Sequence, residues 1–122
     1  MDNTMKGECT ITLGEEEVKL KFCMSAVRET LQILNMELGE FYEHIKSNPL
    51  DSAGALVAGA IRRTHILNGD FEKAKSVRLD VTIARLDDLP KEQGDLLAKA
   101  IAEANLLGKK KAPEEAQGQS ES

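Results

Sequence analysis

Apolar and polar residues alternate strictly near the start of the chain. Two such runs flank a polar Gly-Glu-Glu-Glu segment at residues 14–17. A period of two is typical of strands that bury one face, so the pattern predicts a β-hairpin. With residues 14–17 as the loop, Leu13 faces Val18, Cys9 faces Phe22, and all the apolar side chains share one face. These are Cys9, Ile11, Leu13, Val18, Leu20 and Phe22.

After the hairpin the apolar spacing changes to three and four residues, the period of an amphipathic helix. The first predicted helix has Ser25 as its N-cap, and Gly39 interrupts it. A short second helix follows, and Asn48 and Pro49 then mark a stop and a restart. The apolar stripes consist of Val27, Leu31, Leu34 and Leu38 in the first helix and Phe41, Tyr42 and Ile45 in the second.

The third predicted helix, residues 50–67, is rich in small residues. A glycine inside a helix costs about 1 kcal/mol relative to alanine, and one explanation is that another backbone packs closely there. That backbone belongs either to this chain or to a second subunit in a homo-oligomer. Our candidate protein-binding surface consists of Gly54, Ala58, Gly59, Arg62 and Arg63.

Two helical segments are predicted beyond residue 70. Residues 71–87 contain apolar positions that satisfy both a strand and a helix, and their length together with the Lys, Glu and Ala upstream favours a helix. The last helix spans about residues 91–107, with Gly108 as its cap. Its apolar face consists of Leu96, Leu97, Ala100, Ile101, Ala104 and Leu107.

These elements predict an α+β fold that is mainly α: an N-terminal two-stranded β-hairpin packed on a bundle of about four to five helices. Residues 8–107 form one domain, preceded by a flexible N-terminus at residues 1–7. Residues 108–122 contain no large apolar side chain. Because such a segment cannot bury enough surface to offset its ordering entropy, we expect a disordered tail.

Charge and motifs narrow the function. A net charge of -5 argues against nucleic acid or an anionic membrane surface as the main partner. No apolar run or leader-like start indicates membrane insertion or export, so we expect a cytoplasmic protein. Cys9 and Cys23 are expected to be reduced packing residues, and we expect no metal or cofactor. His65 follows two arginines at a helix end, which favours a solvated basic end over half of an anion site. No catalytic motif is present, so we do not expect an enzyme.

The element order is itself informative. A hairpin ending in Val-Lys-Leu-Lys-Phe (residues 18–22) precedes a leucine-striped helix (residues 27–38), and a small-residue helix follows Pro49. The last helix contains Leu-Leu-Ala-Lys-Ala-Ile-Ala-Glu-Ala (residues 96–104). This organisation resembles the tail assembly chaperones of long-tailed bacteriophages and prophages over roughly residues 8–107.

The resemblance implies a small, acidic, mostly helical protein without catalytic residues. Members bind the tape measure protein, recruit tail tube subunits, act in the host cytoplasm and are absent from the mature virion. Many are made in two lengths by ribosomal frameshifting, for which the codons of residues 108–111 (Gly-Lys-Lys-Lys) are a candidate, although a basic helix end explains these lysines equally well. Two alternatives remain open: a structural head–tail connector or minor tail protein, and a generic cytosolic protein-binding adaptor.

Overall fold

The computed structural model describes residues 7–104, so the predictions for residues 1–6 and 105–122 lie outside the described part. Within it, a two-stranded antiparallel hairpin precedes six helices, which confirms the predicted α+β, mainly α fold. The elements are β1 (Glu8–Leu13), β2 (Glu16–Lys21), α1 (Met24–Leu34), α2 (Leu38–Ser47), α3 (Pro49–Leu67), α4 (Phe71–Lys75), α5 (Leu79–Leu86) and α6 (Lys91–Ala104).

The hairpin has the predicted faces but not the predicted register. Leu13 pairs with Glu16 and Cys9 with Leu20, so the loop contains only residues 14–15. Gly14 adopts a φ of 64°, which a two-residue turn with glycine at its first position requires. The predicted partners, Leu13 with Val18 among them, are therefore wrong by two residues. Because a shift of two preserves the alternation, all six apolar side chains are still buried.

The break between the first two helices lies earlier than predicted. Asn35 ends α1 in the left-handed conformation (φ 55°), which asparagine tolerates better than most residues. The amide of Met36 then bonds the carbonyl of Leu31 (3.1 Å). Gly39 consequently lies inside α2 rather than between the helices. The N-cap of α1 is Cys23, not Ser25.

The ambiguous segment at residues 71–87 is helical but not continuous. It forms α4 and α5, separated by residues 76–78, where Arg78 is extended (φ -123°, ψ 139°). The Ser76 hydroxyl donates to the Lys73 carbonyl (2.8 Å) as α4 ends, and Val77 packs against the core beyond it. A single helix was predicted there, and the serine with the β-branched residue after it explains the break.

Helix α3 is the centre of the fold, because α1, α2, α4, α5 and β2 all pack against it. Helix α6 covers β1, where the Gln93 side chain accepts a hydrogen bond from the Thr12 amide (2.7 Å). The described helices include none that is both long and apolar enough to cross a membrane. The largest fully buried apolar side chains are Phe41, Ile11, Leu20, Leu56 and Val57.

Candidate protein-binding surface

The small residues of the predicted binding surface lie inside the protein. Gly54, Ala58 and Gly59 are all buried. A Cβ atom at Gly59 would meet the Ala26 carbonyl at 2.6 Å and the Thr30 amide at 2.7 Å, so only glycine lets α1 approach this closely. The Thr30 hydroxyl reinforces the crossing by hydrogen bonding to the carbonyl of Ala55 on α3 (3.0 Å).

Gly54 serves a second crossing on another side of α3. A Cβ atom there would meet the Ile83 side chain of α5 at 2.5 Å. The glycines therefore admit helices of the same chain, which is the intramolecular alternative left open above. This corrects the predicted surface: its three small residues are not exposed to a partner.

Arg62 also has an internal role. Its Nε atom lies 3.0 Å from the Glu29 carboxylate on α1, and its terminal nitrogen contacts Gln32 (3.5 Å). The Arg62 and Glu29 atoms are close but are not aligned as a hydrogen bond, so the pair acts mainly through charge. Both side chains are largely buried, and the pair joins α1 to α3 beside the Gly59 crossing.

Arg63, the last residue of the predicted set, lines an open groove. We call this the β2–α3 groove; it has a volume of about 360 Å³ and runs between the edge of β2 and the C-terminal half of α3. The Arg63 Nε atom donates to the Ser25 hydroxyl (2.7 Å). Leu67, farther along α3, exposes 67% of its surface. The lining residues are Glu8, Lys19, Leu20, Lys21, Arg63, Thr64, Leu67 and Asn68.

The charge of this groove is opposite to that of the chain. Within residues 7–104, Lys19, Lys21 and Arg63 form no ion pair, and Glu8 is the one acidic residue of the lining. The chain as a whole carries a net charge of -5. An exposed leucine among unpaired cations is suited to a segment that carries both apolar and acidic side chains.

The edges of the hairpin are not free for strand addition along their whole length. On β2, the Lys19 carbonyl accepts a hydrogen bond from the Thr64 hydroxyl of α3 (2.6 Å). On β1, the Thr12 amide is bonded to Gln93. Because an added strand needs these backbone groups, a partner in the groove would be held by side chains instead.

The Cys23 thiol lies beside the groove at the N-terminus of α1. Burial raises the pKa of this thiol, but hydrogen bonds from Ser25 and Ala26 and the charge of Arg63 together bring it below the ordinary value. Burial instead raises the pKa of Cys9 to about 11. Both cysteines are free thiols.

The predicted surface contained only Arg63 of the eight lining residues, so Lys19, Lys21 and Leu67 are among those it missed. The two lysines alternate with apolar residues and lie on the polar side of β2. Their position beside Arg63 depends on how the hairpin packs on α3, which no local pattern encodes.

The described residues offer no group of three His, Cys, Asp or Glu side chains placed to hold a metal ion. Comparison of the chain with protein-family models, curated proteins and solved structures finds no match.

Proposed function

We propose that this chain is a tail assembly chaperone of a long-tailed bacteriophage or prophage, which binds the tape measure protein and recruits tail tube subunits. The observation that carries the binding role is the β2–α3 groove of this acidic protein. It combines an exposed leucine with cations that form no ion pair within residues 7–104. The element order of the resemblance, a hairpin followed by helices, supports the assignment to this class.

The groove is the proposed site for the tape measure protein. Lys19, Lys21 and Arg63 would attract acidic side chains of the incoming segment, and Leu67 would contact an apolar one. Charges at an exposed rim speed association and give selectivity while adding little affinity, which suits a partner that must later be released. The chaperone would act in the host cytoplasm and be absent from the mature virion.

The test is co-expression with the tape measure protein encoded in the same genome, followed by affinity capture and size exclusion. We expect a soluble complex where the tape measure protein alone aggregates. A chain that binds nothing, forms a stable ring and is present in purified virions would instead be a structural connector. A monomer without a partner would leave only a generic adaptor.

Charge reversal locates the binding surface. The double variant Lys19→Glu/Lys21→Glu should lower the affinity for the tape measure protein by about tenfold or more, because each reversal turns an attraction of about 0.5–1 kcal/mol into a repulsion. The control Lys46→Glu/Lys99→Glu changes the net charge equally on exposed helices away from the groove. Equal losses in both variants would mean that net charge, not the groove, determines binding.

A further inference from the structure

A second concave site, which we call the tip pocket, lies where the hairpin turn meets α3, α4 and α5. It has a volume of about 160 Å³ and aliphatic walls that include Val18, Ile61 and Val77. Its remaining lining is polar, with the three cations Lys73, Arg78 and Arg85 beside Glu16, His65, Ser76 and Thr82. The tip pocket and the β2–α3 groove, which contains Lys19, Lys21 and Arg63, have no lining residue in common.

His65 lines the pocket without a polar partner. Only 7% of its surface is exposed, and its imidazole forms no hydrogen bond or ion pair within residues 7–104. The ring nitrogens of His65 are not among the fully buried polar atoms that lack a partner, so they are accessible from the pocket. A ligand in the pocket would therefore find a hydrogen-bonding group there that no other described residue uses.

Arg85 provides the second unpaired group. Its guanidinium lies beside the hairpin turn, 3.8 Å from where a Cβ atom of Gly14 would be, and it forms no ion pair in the described chain. The neighbouring cations are already paired, Lys73 with Glu16 (3.2 Å) and Arg78 with Asp80 (2.8 Å). His65 and Arg85 beside aliphatic walls therefore suit a carboxylate on an aliphatic stem, as in a glutamate side chain.

The chain contains such a ligand within reach. Residues 112–122 include Glu114, Glu115 and Glu121 and no lysine or arginine. The described chain ends at Ala104, which packs against Gly7 at the open end of the hairpin. The turn lies one strand length away, about 20 Å for six residues. Glu114 is ten residues beyond Ala104, so its reach of up to about 34 Å spans this distance.

We propose that the tip pocket binds the acidic segment at residues 112–122 of the same chain, with one glutamate carboxylate placed between His65 and Arg85. A single carboxylate in such a site binds weakly, but a short tether supplies an effective concentration in the millimolar range. Docking would hold the end of the chain against α5, away from the β2–α3 groove, so that the two sites are independent.

The experiment compares amide and imidazole NMR spectra of the full chain with those of Glu114→Gln/Glu115→Gln/Glu121→Gln. Apart from the substituted residues and their chain neighbours, we expect chemical-shift changes only at the hairpin turn, His65 and α5, and these changes should not depend on protein concentration. Arg85→Gln is an exposed substitution that leaves the core intact. In this variant the three glutamate substitutions should no longer change the chemical shifts at the pocket. The matched control Lys46→Gln should retain it in full.

Three outcomes would overturn the proposal: no shift at the pocket, an undiminished response in Arg85→Gln, or shifts around Lys19, Lys21 and Arg63 instead. A response that disappears on dilution would mean that the segment binds a second copy, which also contradicts docking within one chain. A carbodiimide cross-link between residues 112–122 and Lys73, with none to Lys19 or Lys21, is the expected second result. None of these outcomes depends on binding of the tape measure protein.

Discussion

The two sides of α3 differ in how tightly they are packed. Toward α1, Gly59 faces backbone atoms of Ala26 and Thr30, and the Thr30 hydroxyl bonds across the crossing. Toward α5, the nearest neighbours of Gly54 are side-chain atoms of Ile83 and Leu79, and the tip pocket remains open beside this crossing. Backbone cannot move without shifting a whole helix, whereas an isoleucine can change rotamer.

The side of α3 that faces α1 therefore has a structural role, whereas the side that faces α4 and α5 can adjust its side chains. The α1 side combines close backbones, a buried threonine and the Arg62–Glu29 ion pair, so α1 and α3 are tightly joined. The α4–α5 side retains space and one cation, Arg85, that forms no ion pair within residues 7–104. We expect substitutions on the first side to affect stability and substitutions on the second to affect binding.

Gly59→Ala should have the largest effect. Its methyl group would collide with backbone atoms of α1, and we expect the free energy of unfolding to fall by about 3 kcal/mol, despite alanine's better helix propensity. Urea unfolding followed by circular dichroism measures this. A loss below about 1 kcal/mol would show that the α1 crossing is not rigid.

Gly54→Ala should cost less, about 1–2 kcal/mol, because Ile83 can move. The sharper test is the double-mutant cycle with Ile83→Ala. In that background the new methyl group fills the space left by the Ile83 side chain. Alanine also has the higher helix propensity, so Gly54→Ala should become stabilising. The same loss in both backgrounds would mean that Ile83 is not what limits the site.

Thr30→Val should lower the free energy of unfolding by about 1 kcal/mol. Valine has nearly the same shape but lacks the hydroxyl that bonds the carbonyls of Ala26 and Ala55, each at 3.0 Å. Thermal unfolding of the variant gives the comparison. An unchanged stability would mean that packing alone, without this hydrogen bond, stabilises the α1–α3 crossing.

Gly94→Ala should have the smallest effect and the opposite sign. Gly94 lies inside α6, and a Cβ atom there would have no neighbour within 4 Å. We expect a gain of about 0.5–1 kcal/mol from helix propensity. This variant also serves as the control for the two glycines of α3. A clear fall in its free energy of unfolding would contradict the idea that the room around each glycine determines the cost of alanine.

The sequence predicted the larger features of the fold because they follow from periodicity. Alternation identified the hairpin and its buried face, and the small residues of α3 indicated close packing. The register was wrong because a glycine turn of two residues and a loop of four preserve the same alternation. The break inside residues 71–87 was missed because the spacing of apolar residues carries no information about side-chain hydrogen bonds. The bond from the Ser76 hydroxyl to the Lys73 carbonyl is one example.

The candidate site was predicted less well, for a physical reason. Small residues in a helix indicate a close neighbour but do not say whether it is the same chain or another. Here it is the same chain, and only Arg63 of the predicted set lines the groove. Lys19 and Lys21 join it through tertiary packing between elements separated by some 40 residues.

The most direct test of the central claim is hydrogen–deuterium exchange of the chain alone and in complex with the tape measure protein. We predict that the complex slows exchange most in β2 and in the C-terminal half of α3, the two walls of the β2–α3 groove. Slowed exchange confined to α2 or to the polar face of α6, with β2 and α3 unchanged, would contradict binding through this groove.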